Sequence, residues 1–129
     1  GFWMRSIKQM LPLIVMLLGL LGGCYPKQPP ENADLEPRFQ AAMQIGSLDD
    51  KDSALKTVAI DAADLGAIAL VKRALTSIAT PGVRDEAASR CAIHLANVGQ
   101  RIAANEVAGM IGNPGVRDST LKKLAEGVE

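Results

Sequence analysis

Aromatic residues and histidine are scarce in this sequence. Its 129 residues include two phenylalanines, one tryptophan, one tyrosine and one histidine, His94. A single histidine excludes metal sites built from several histidines, and it leaves little material for a nucleophile, base and acid arrangement. With so few aromatics the core must be packed from alanine, leucine, isoleucine and valine, which predicts closely packed helices. We therefore expect no enzyme activity, no cofactor and no metal site.

The chain also lacks an excess of either charge. Lysine plus arginine equals aspartate plus glutamate at 14 each. A nucleic-acid-binding domain of this size would carry a basic face, so no nucleic acid partner is expected. Apolar residues make up 48% and charged residues 22% of the chain, which is typical of a globular protein. The length allows one small domain.

A charged segment followed by an apolar run stands near the N-terminus. Arg5 and Lys8 follow Met4, which we interpret as the natural start, so that residues 1–3 are an upstream extension. The apolar run covers residues 11–21, whereas a helix needs about 20 apolar residues to cross a bilayer. This pattern predicts a cleavable export signal over residues 1–23 rather than a transmembrane anchor.

The motif Leu21-Gly22-Gly23-Cys24 directly follows that run. A branched apolar residue, two small residues and a cysteine in this order resemble the lipobox of bacterial lipoproteins. The resemblance implies a diacylglycerol on the Cys24 thiol, signal cleavage between Gly23 and Cys24, and an acyl chain on the new amine. Two or three acyl chains hold a protein stably at a membrane. Because Tyr25 replaces the aspartate that favours inner-membrane retention in enterobacterial lipoproteins, the periplasmic face of the outer membrane is expected.

Residues 25–34 are polar and contain three prolines. Proline disfavours a helix interior, so this stretch predicts an extended tether. The predicted organisation is a signal peptide over residues 1–23, the lipidated cysteine and tether over 24–34, a repeat domain over 35–126 and a tail over 127–129.

The repeat domain shows a spacing of 33 residues. Pro81-Gly82-Val83-Arg84-Asp85 recurs as Pro114-Gly115-Val116-Arg117-Asp118. Other positions agree in all three copies, namely Ile45, Ile78 and Ile111; Asp52, Asp85 and Asp118; and Ala59, Ala92 and Ala125. A period of this length is typical of helical hairpin repeats.

Helix boundaries follow from residues at fixed places in the repeat. Ser47, Thr80 and Asn113 can each cap a helix, and proline follows in two copies, so the first helix of each repeat, helix A, begins there. Gly66 and Gly99 predict its end. The second helix, helix B, is then predicted over about residues 67–78 and 100–111. Apolar residues at helical spacing predict the buried side of helix A. They are Ala54, Leu55, Val58, Ala59, Ala62 and Leu65 in one copy, and Ala87, Ala88, Cys91, Ala92, Leu95 and Val98 in the next.

Residues 35–45 align with a helix B, and residues 117–126 with a helix A. The prediction is an all-α fold of about six helices, arranged as antiparallel helix hairpins. This pattern resembles the tetratricopeptide-like and HEAT-like repeat proteins, and the resemblance implies a short right-handed α-α superhelix. With fewer than three complete repeats such a fold is marginal, so capping by the end helices or self-association would be needed to stabilise it.

Several local motifs favour structural roles. Cys91 occupies the repeat position of Val58 and Leu124, so it is predicted in the core, and no disulfide is expected. Arg84 and Asp85, like Arg117 and Asp118, are predicted to hold a turn or to pair with an adjacent repeat. Asp49, Asp50 and Asp52 lack the spacing of a calcium loop and are assigned to the positive end of helix A.

The polar side of helix A is the candidate partner-binding surface, because helix A lines the concave face in tetratricopeptide-like folds. Its candidate residues are Lys56, Asp61, Asp64, Arg90, His94, Asn97 and Lys123. The leading hypothesis is a non-catalytic adaptor or scaffold, anchored to a membrane and bound to another envelope protein. The alternative is a structural or stress-related envelope lipoprotein that self-associates without a dedicated peptide groove.

Overall fold

A computed structural model describes residues 30–127 of the chain. The predicted export signal, Gly23, Cys24 and the first part of the tether lie outside the described residues, as do residues 128 and 129. The described part consists of six α-helices joined by short turns, with no β-strand, which confirms the predicted all-α class. The helices are α1 (Pro30–Met43), α2 (Leu48–Asp64), α3 (Ile68–Ser77), α4 (Pro81–Asn97), α5 (Arg101–Ala108) and α6 (Pro114–Ala125).

The three A helices begin where the capping residues predict. The residues that precede α2, α4 and α6 are Ser47, Thr80 and Asn113, each in extended conformation. Ser47 Oγ accepts a hydrogen bond of 3.5 Å from the Asp50 N–H, and Asn113 Oδ1 accepts one of 3.0 Å from the Val116 N–H. These bonds satisfy donors that lack a partner within the helix.

Glycine ends α2 and α4 in the predicted way. Gly66 has φ of 71° and Gly99 has φ of 87°. Beyond these glycines, the Ala67 N–H returns to the Ala62 carbonyl at 2.9 Å, and the Gln100 N–H returns to the Leu95 carbonyl at 2.8 Å. This is the Schellman arrangement, in which a left-handed residue reverses the chain and satisfies the last carbonyls. Helices α3 and α5 therefore follow after one further residue.

The apolar positions predicted for helix A are largely buried, with one correction. Leu65 and Val98 were expected to face the core, but they are 42% and 44% exposed. Each is the last residue before the glycine turn, where the chain has already left the helix. Ala63 and Ala96, which the spacing did not select, are buried instead.

Alanine dominates the core. Of the 25 buried apolar residues in the described chain, twelve are alanine and one, Phe39, is aromatic. Small side chains let helix axes approach closely, and α4 contacts α2, α5 and α6. Cys91 is fully buried among these residues, as its repeat position predicts.

Helix α1 begins earlier than predicted. It starts at Pro30, so residues 30–34, which were expected to be extended, are helical. Proline is compatible with a first helical turn, because its fixed φ suits the helix and its missing N–H would have no partner there. Pro37 also lies inside α1, where it removes one backbone donor.

Tertiary contacts hold α1 in place. Leu35, Phe39 and Ala42 are buried against the remainder of the domain. The Arg73 guanidinium on α3 lies 4.6 Å above the Phe39 ring and donates to both Glu36 carboxylate oxygens, at 2.9 and 3.0 Å. Packing of α1 on α2 and α3 thus offsets the backbone bond that Pro37 removes.

Candidate functional site

The polar side of helix A carries ion pairs between neighbouring helices. Lys56 on α2 pairs with Glu86 on α4 at 2.9 Å. Asp61 on α2 pairs with Arg38 on α1 at 2.7 Å. Four of the seven candidate partner-binding residues, Lys56, Asp61, Asp64 and His94, are engaged with other side chains in this way. Ion pairs this exposed add little to stability. They do mean that part of the charge on this surface already has a partner within the domain.

The other three candidates are exposed. Arg90 and Asn97 lie on α4, and Lys123 lies on α6. None of them forms an ion pair with another residue of the described chain. Arg90 and Lys123 share one repeat position on adjacent helices, and Lys122 is exposed beside Lys123. The α4–α6 end of the surface therefore carries exposed cations without an ion-pair partner in the described chain.

His94 is hydrogen-bonded through Nδ1 to the Asp64 carboxylate on α2. Cys91 lies one turn before His94 on α4, which places a thiol, an imidazole and a carboxylate in one neighbourhood. Burial and the nearby Asp64 raise the pKa of the Cys91 thiol to about 12, although Arg90 lowers it. A catalytic cysteine needs the opposite, an accessible thiol with a depressed pKa. Cys91 is a core residue, and the imidazole links two A helices.

Two buried carboxylates hold the turns between repeats, a role that the sequence analysis predicted for Asp85 but not for Asp52. Asp52 is 1% exposed, and its two oxygens accept the Ala79 and Thr80 N–H groups, both at 3.0 Å. Asp85 is 8% exposed and accepts the Gly112 and Asn113 N–H groups at 2.9 and 3.1 Å. We call each of these contacts a junction. Asp52 therefore acts on the following repeat, whereas Asp49 and Asp50 lie in the first turn of α2 as predicted.

The environment of Asp52 favours its charged form. The Thr80 side chain and the backbone N–H groups of Ala79 and Thr80 lower the pKa of Asp52, against the effect of burial, which raises it. A carboxylate that accepts several hydrogen bonds remains ionised even when it is buried. The repeated aspartate at positions 52, 85 and 118 was the sequence signal for this role.

The arginines before Asp85 and Asp118 each hold the preceding turn. Arg84 Nη1 donates to the Ile78 carbonyl at 3.4 Å, and Arg117 Nη1 donates to the Ile111 carbonyl at 3.3 Å. The turn-holding role predicted for the Arg-Asp pairs is therefore confirmed for Arg84, Asp85 and Arg117, but not for Asp118, which is exposed. Each arginine thus holds the turn before its own helix. Asp52 on α2 and Asp85 on α4 instead hold the turns that follow α3 and α5.

The surface has open grooves rather than a deep cleft. One groove of about 350 Å³ beside Arg90 is lined by Gly82, Asp85, Glu86, Ser89, Asn113 and Val116. A second groove, of about 450 Å³, lies between α1 and α2 and is mostly apolar. Between residues 30 and 127 no group of three or more acidic, histidine or cysteine side chains could hold a metal ion. No helix in that range is long and apolar enough to cross a membrane.

The chain matches no model of a known protein family, no curated protein and no solved structure.

Proposed function

We propose that this chain is a lipid-anchored envelope protein that acts as a non-catalytic adaptor for another envelope protein. The observation that carries the proposal is the motif Leu21-Gly22-Gly23-Cys24 behind a charged segment and an apolar run of 11 residues. On this proposal Cys24 carries the diacylglycerol and the N-terminal acyl chain, and the protein faces the periplasm from the outer membrane. The helical domain is the part that meets the partner.

Exposed cations at the α4–α6 end of the helix-A surface support the adaptor role. Arg90, Lys122 and Lys123 are exposed on α4 and α6, and no described acidic side chain pairs with them. Arg90 also borders the 350 Å³ groove that contains Val116. The two carboxylates of this groove are already engaged, Asp85 by backbone N–H groups and Glu86 by Lys56. A surface with exposed cations beside a partly apolar groove suits a partner segment that combines acidic and apolar side chains.

Metabolic labelling with palmitate tests the anchor. The wild-type chain should incorporate the label in bacteria, and Cys24→Ser should remain unlabelled and uncleaved. Cys91→Ala is the matched control, because it removes the other cysteine and should leave labelling unchanged. Label on Cys24→Ser, or its absence from the wild type, would contradict the proposal.

Cross-linking in intact envelopes followed by affinity purification tests the adaptor role. One recurrent heterologous protein should be recovered with the wild type, and its yield should fall when Arg90→Gln and Lys123→Gln are combined. Lys72→Gln is the control, because it neutralises an exposed lysine that pairs with Glu106 between α3 and α5. Recovery of no heterologous protein, or equal loss with the control, would count against the proposal.

A further inference from the structure

The two ends of the described domain carry the two halves of a junction. Asp118 occupies the repeat position of Asp52 and Asp85 but is exposed, and no described backbone group donates to it. At the other end, Gly46 and Ser47 occupy the positions of the Ala79–Thr80 and Gly112–Asn113 donor pairs. Both are exposed, and no described carboxylate accepts their N–H groups.

The backbone of that first turn already has the junction conformation. The Ile45 N–H donates to the Ala42 carbonyl at 3.2 Å, as Ile78 does to Leu75 and Ile111 does to Ala108 in the internal turns. Ser47 is extended, like Thr80 and Asn113. The donor pair at Gly46 and Ser47 is thus preformed.

The end helices are also complementary halves of one hairpin. Helix α6 is an A helix, and no described helix follows it as α5 follows α4. Helix α1 is a B helix, and no described helix precedes it as α2 precedes α3. We propose that two copies of this chain join head to tail, so that α6 of one copy and α1 of the next complete a hairpin, and Asp118 accepts the Gly46 and Ser47 N–H groups of the next copy.

Apolar side chains exposed at the α1 end agree with a second copy of the chain packing there. The 450 Å³ groove there is lined by Ala41, Ala42, Ile45, Ala54 and Val58, with Arg38 and Thr57. Three of these residues are more exposed than their repeat equivalents. Ala41 is exposed and Ile45 and Ala54 are half-buried, whereas Ala74, Ile78 and Ala87 are at most 1% exposed. The groove lies where a preceding A helix would pack.

At the α6 end, too, an apolar side chain is more exposed than its repeat equivalents. Leu121 is 38% exposed, although its equivalents Leu55 and Ala88 are fully buried. The difference is that α2 and α4 are each followed by a B helix and a further A helix, while α6 is followed by neither in the described chain. Burying Leu121 against the next copy would remove an apolar side chain from water.

The groove that would form between α6 of one copy and α2 of the next has complementary charge. Lys56 and Val83 both line the groove between α2 and α4. In the head-to-tail contact the 33-residue repeat continues from one copy into the next. Lys122 then takes the place of Lys56, and Asp50 of the next copy takes the place of Val83. A lysine would therefore share the groove with an aspartate. Lys122 would belong to both this contact and the proposed partner surface. The part of that surface around Arg90 lies outside the contact, because Arg90 stays exposed although α4 has A helices on both sides.

Disulfide trapping between two differently tagged full-length chains tests this contact. One chain carries Asp118→Cys and the other Gly46→Cys, both with Cys24→Ser, in detergent solution. The geometry is suitable, because an added Cβ at the equivalent Gly112 would lie 3.8 Å from Asp85 Oδ1, and an added Cβ at Gly46 meets no atom within 4 Å. The mixed sample should give a covalent heterodimer, and neither chain alone should give a dimer of comparable yield.

A mismatched pair provides the control. Replacing Asp118→Cys by Glu106→Cys moves the thiol to an exposed position on α5 and should abolish the heterodimer. No heterodimer from the matched pair, or equal yield from the mismatched pair, would overturn the proposal. A dimer of comparable yield from either single variant alone would also overturn it, because a head-to-tail contact joins two different surfaces.

Sedimentation of the full chain gives a second measurement without engineered thiols. Asp118→Asn removes a charged acceptor of two hydrogen bonds and should raise the dissociation constant of association about tenfold or more. Glu106→Gln removes one negative charge that is directed toward Lys72 on α3 rather than toward α6, and should leave association unchanged. A monomeric wild type, or equal effects of the two variants, would contradict the head-to-tail contact. Neither experiment depends on Cys24 lipidation or on an envelope partner.

Discussion

Asp52, Asp85 and Asp118 occupy the same repeat position but have different surroundings. The first two are buried and accept two backbone N–H groups each, whereas Asp118 is exposed. Asparagine in place of Asp52 or Asp85 keeps the shape but loses one acceptor and the charge. We expect Asp52→Asn and Asp85→Asn each to lower the free energy of unfolding by about 2 kcal/mol. Chemical denaturation of each variant measures this.

The matched control for these variants is Asp118→Asn. It makes the same chemical change at the same repeat position and should alter the free energy of unfolding by about 0.5 kcal/mol or less. The measurement is made at a low protein concentration, where association does not contribute. Equal losses at positions 52 and 118 would mean that the junction hydrogen bonds do not stabilise the fold.

Acid should weaken the Asp52 junction. Its pKa is lowered from the ordinary value of 3.8 in the folded protein. A depressed folded pKa stabilises the protein above the unfolded pKa, and this contribution is lost as the pH falls through the folded pKa. The difference in unfolding free energy between wild type and Asp52→Asn should therefore be constant near neutral pH and shrink below about pH 4. A difference that grows in acid would contradict this assignment.

At this scale the sequence predicted local features better than distant ones. The caps at Ser47 and Asn113 follow from side-chain chemistry within a few residues, and both are present. The partners of Asp52 lie 27 and 28 residues later in the chain. They depend on how one hairpin stacks on the next, which helical spacing does not specify. The pairing of His94 with Asp64, 30 residues apart, was missed for the same reason.

At the scale of the helical element, the glycine turns decide where each A helix ends. Gly99 has φ of 87°, and an added Cβ would meet no atom within 4 Å, so the cost of a side chain there is conformational rather than steric. Gly99→Ala should lower the free energy of unfolding by about 1 kcal/mol. Gly82→Ala, inside α4 and with equal space around its Cβ, should be neutral or stabilising. Thermal denaturation compares them, and equal melting temperatures would place the strain elsewhere.

Helix α1 shows where element prediction failed. Prolines at positions 26, 29 and 30 predicted an extended segment to residue 34, yet α1 begins at Pro30 and contains Pro37. The number of prolines indicates how much a helix is destabilised, but it does not show which tertiary contacts offset that destabilisation. Here Phe39 is buried beneath Arg73, which also binds Glu36. Those contacts come from α3, more than 30 residues away.

At the scale of the whole molecule, the scarcity of large side chains fixes how closely the helices pack. Ala59, Ala62, Ala88 and Ala92 are all fully buried on α2 and α4. The composition predicted this feature, because four aromatics cannot fill a core of this size. The handedness of the helix stack and the class of repeat depend on angles between helices, and neither composition nor a period of 33 determines those.

Enlarging a buried alanine tests this packing across the molecule. Ala92 is fully buried on α4, the helix that contacts α2, α5 and α6. Three additional carbon atoms at this position would push α4 away from its neighbours, so Ala92→Leu should lower the free energy of unfolding by about 1–3 kcal/mol. Ala69→Leu makes the same change at an exposed site on α3 and should stay within about 0.5 kcal/mol of wild type. Chemical denaturation of both variants measures the difference. A loss at position 69 equal to that at position 92 would mean that leucine itself, rather than close helix packing, destabilises the protein.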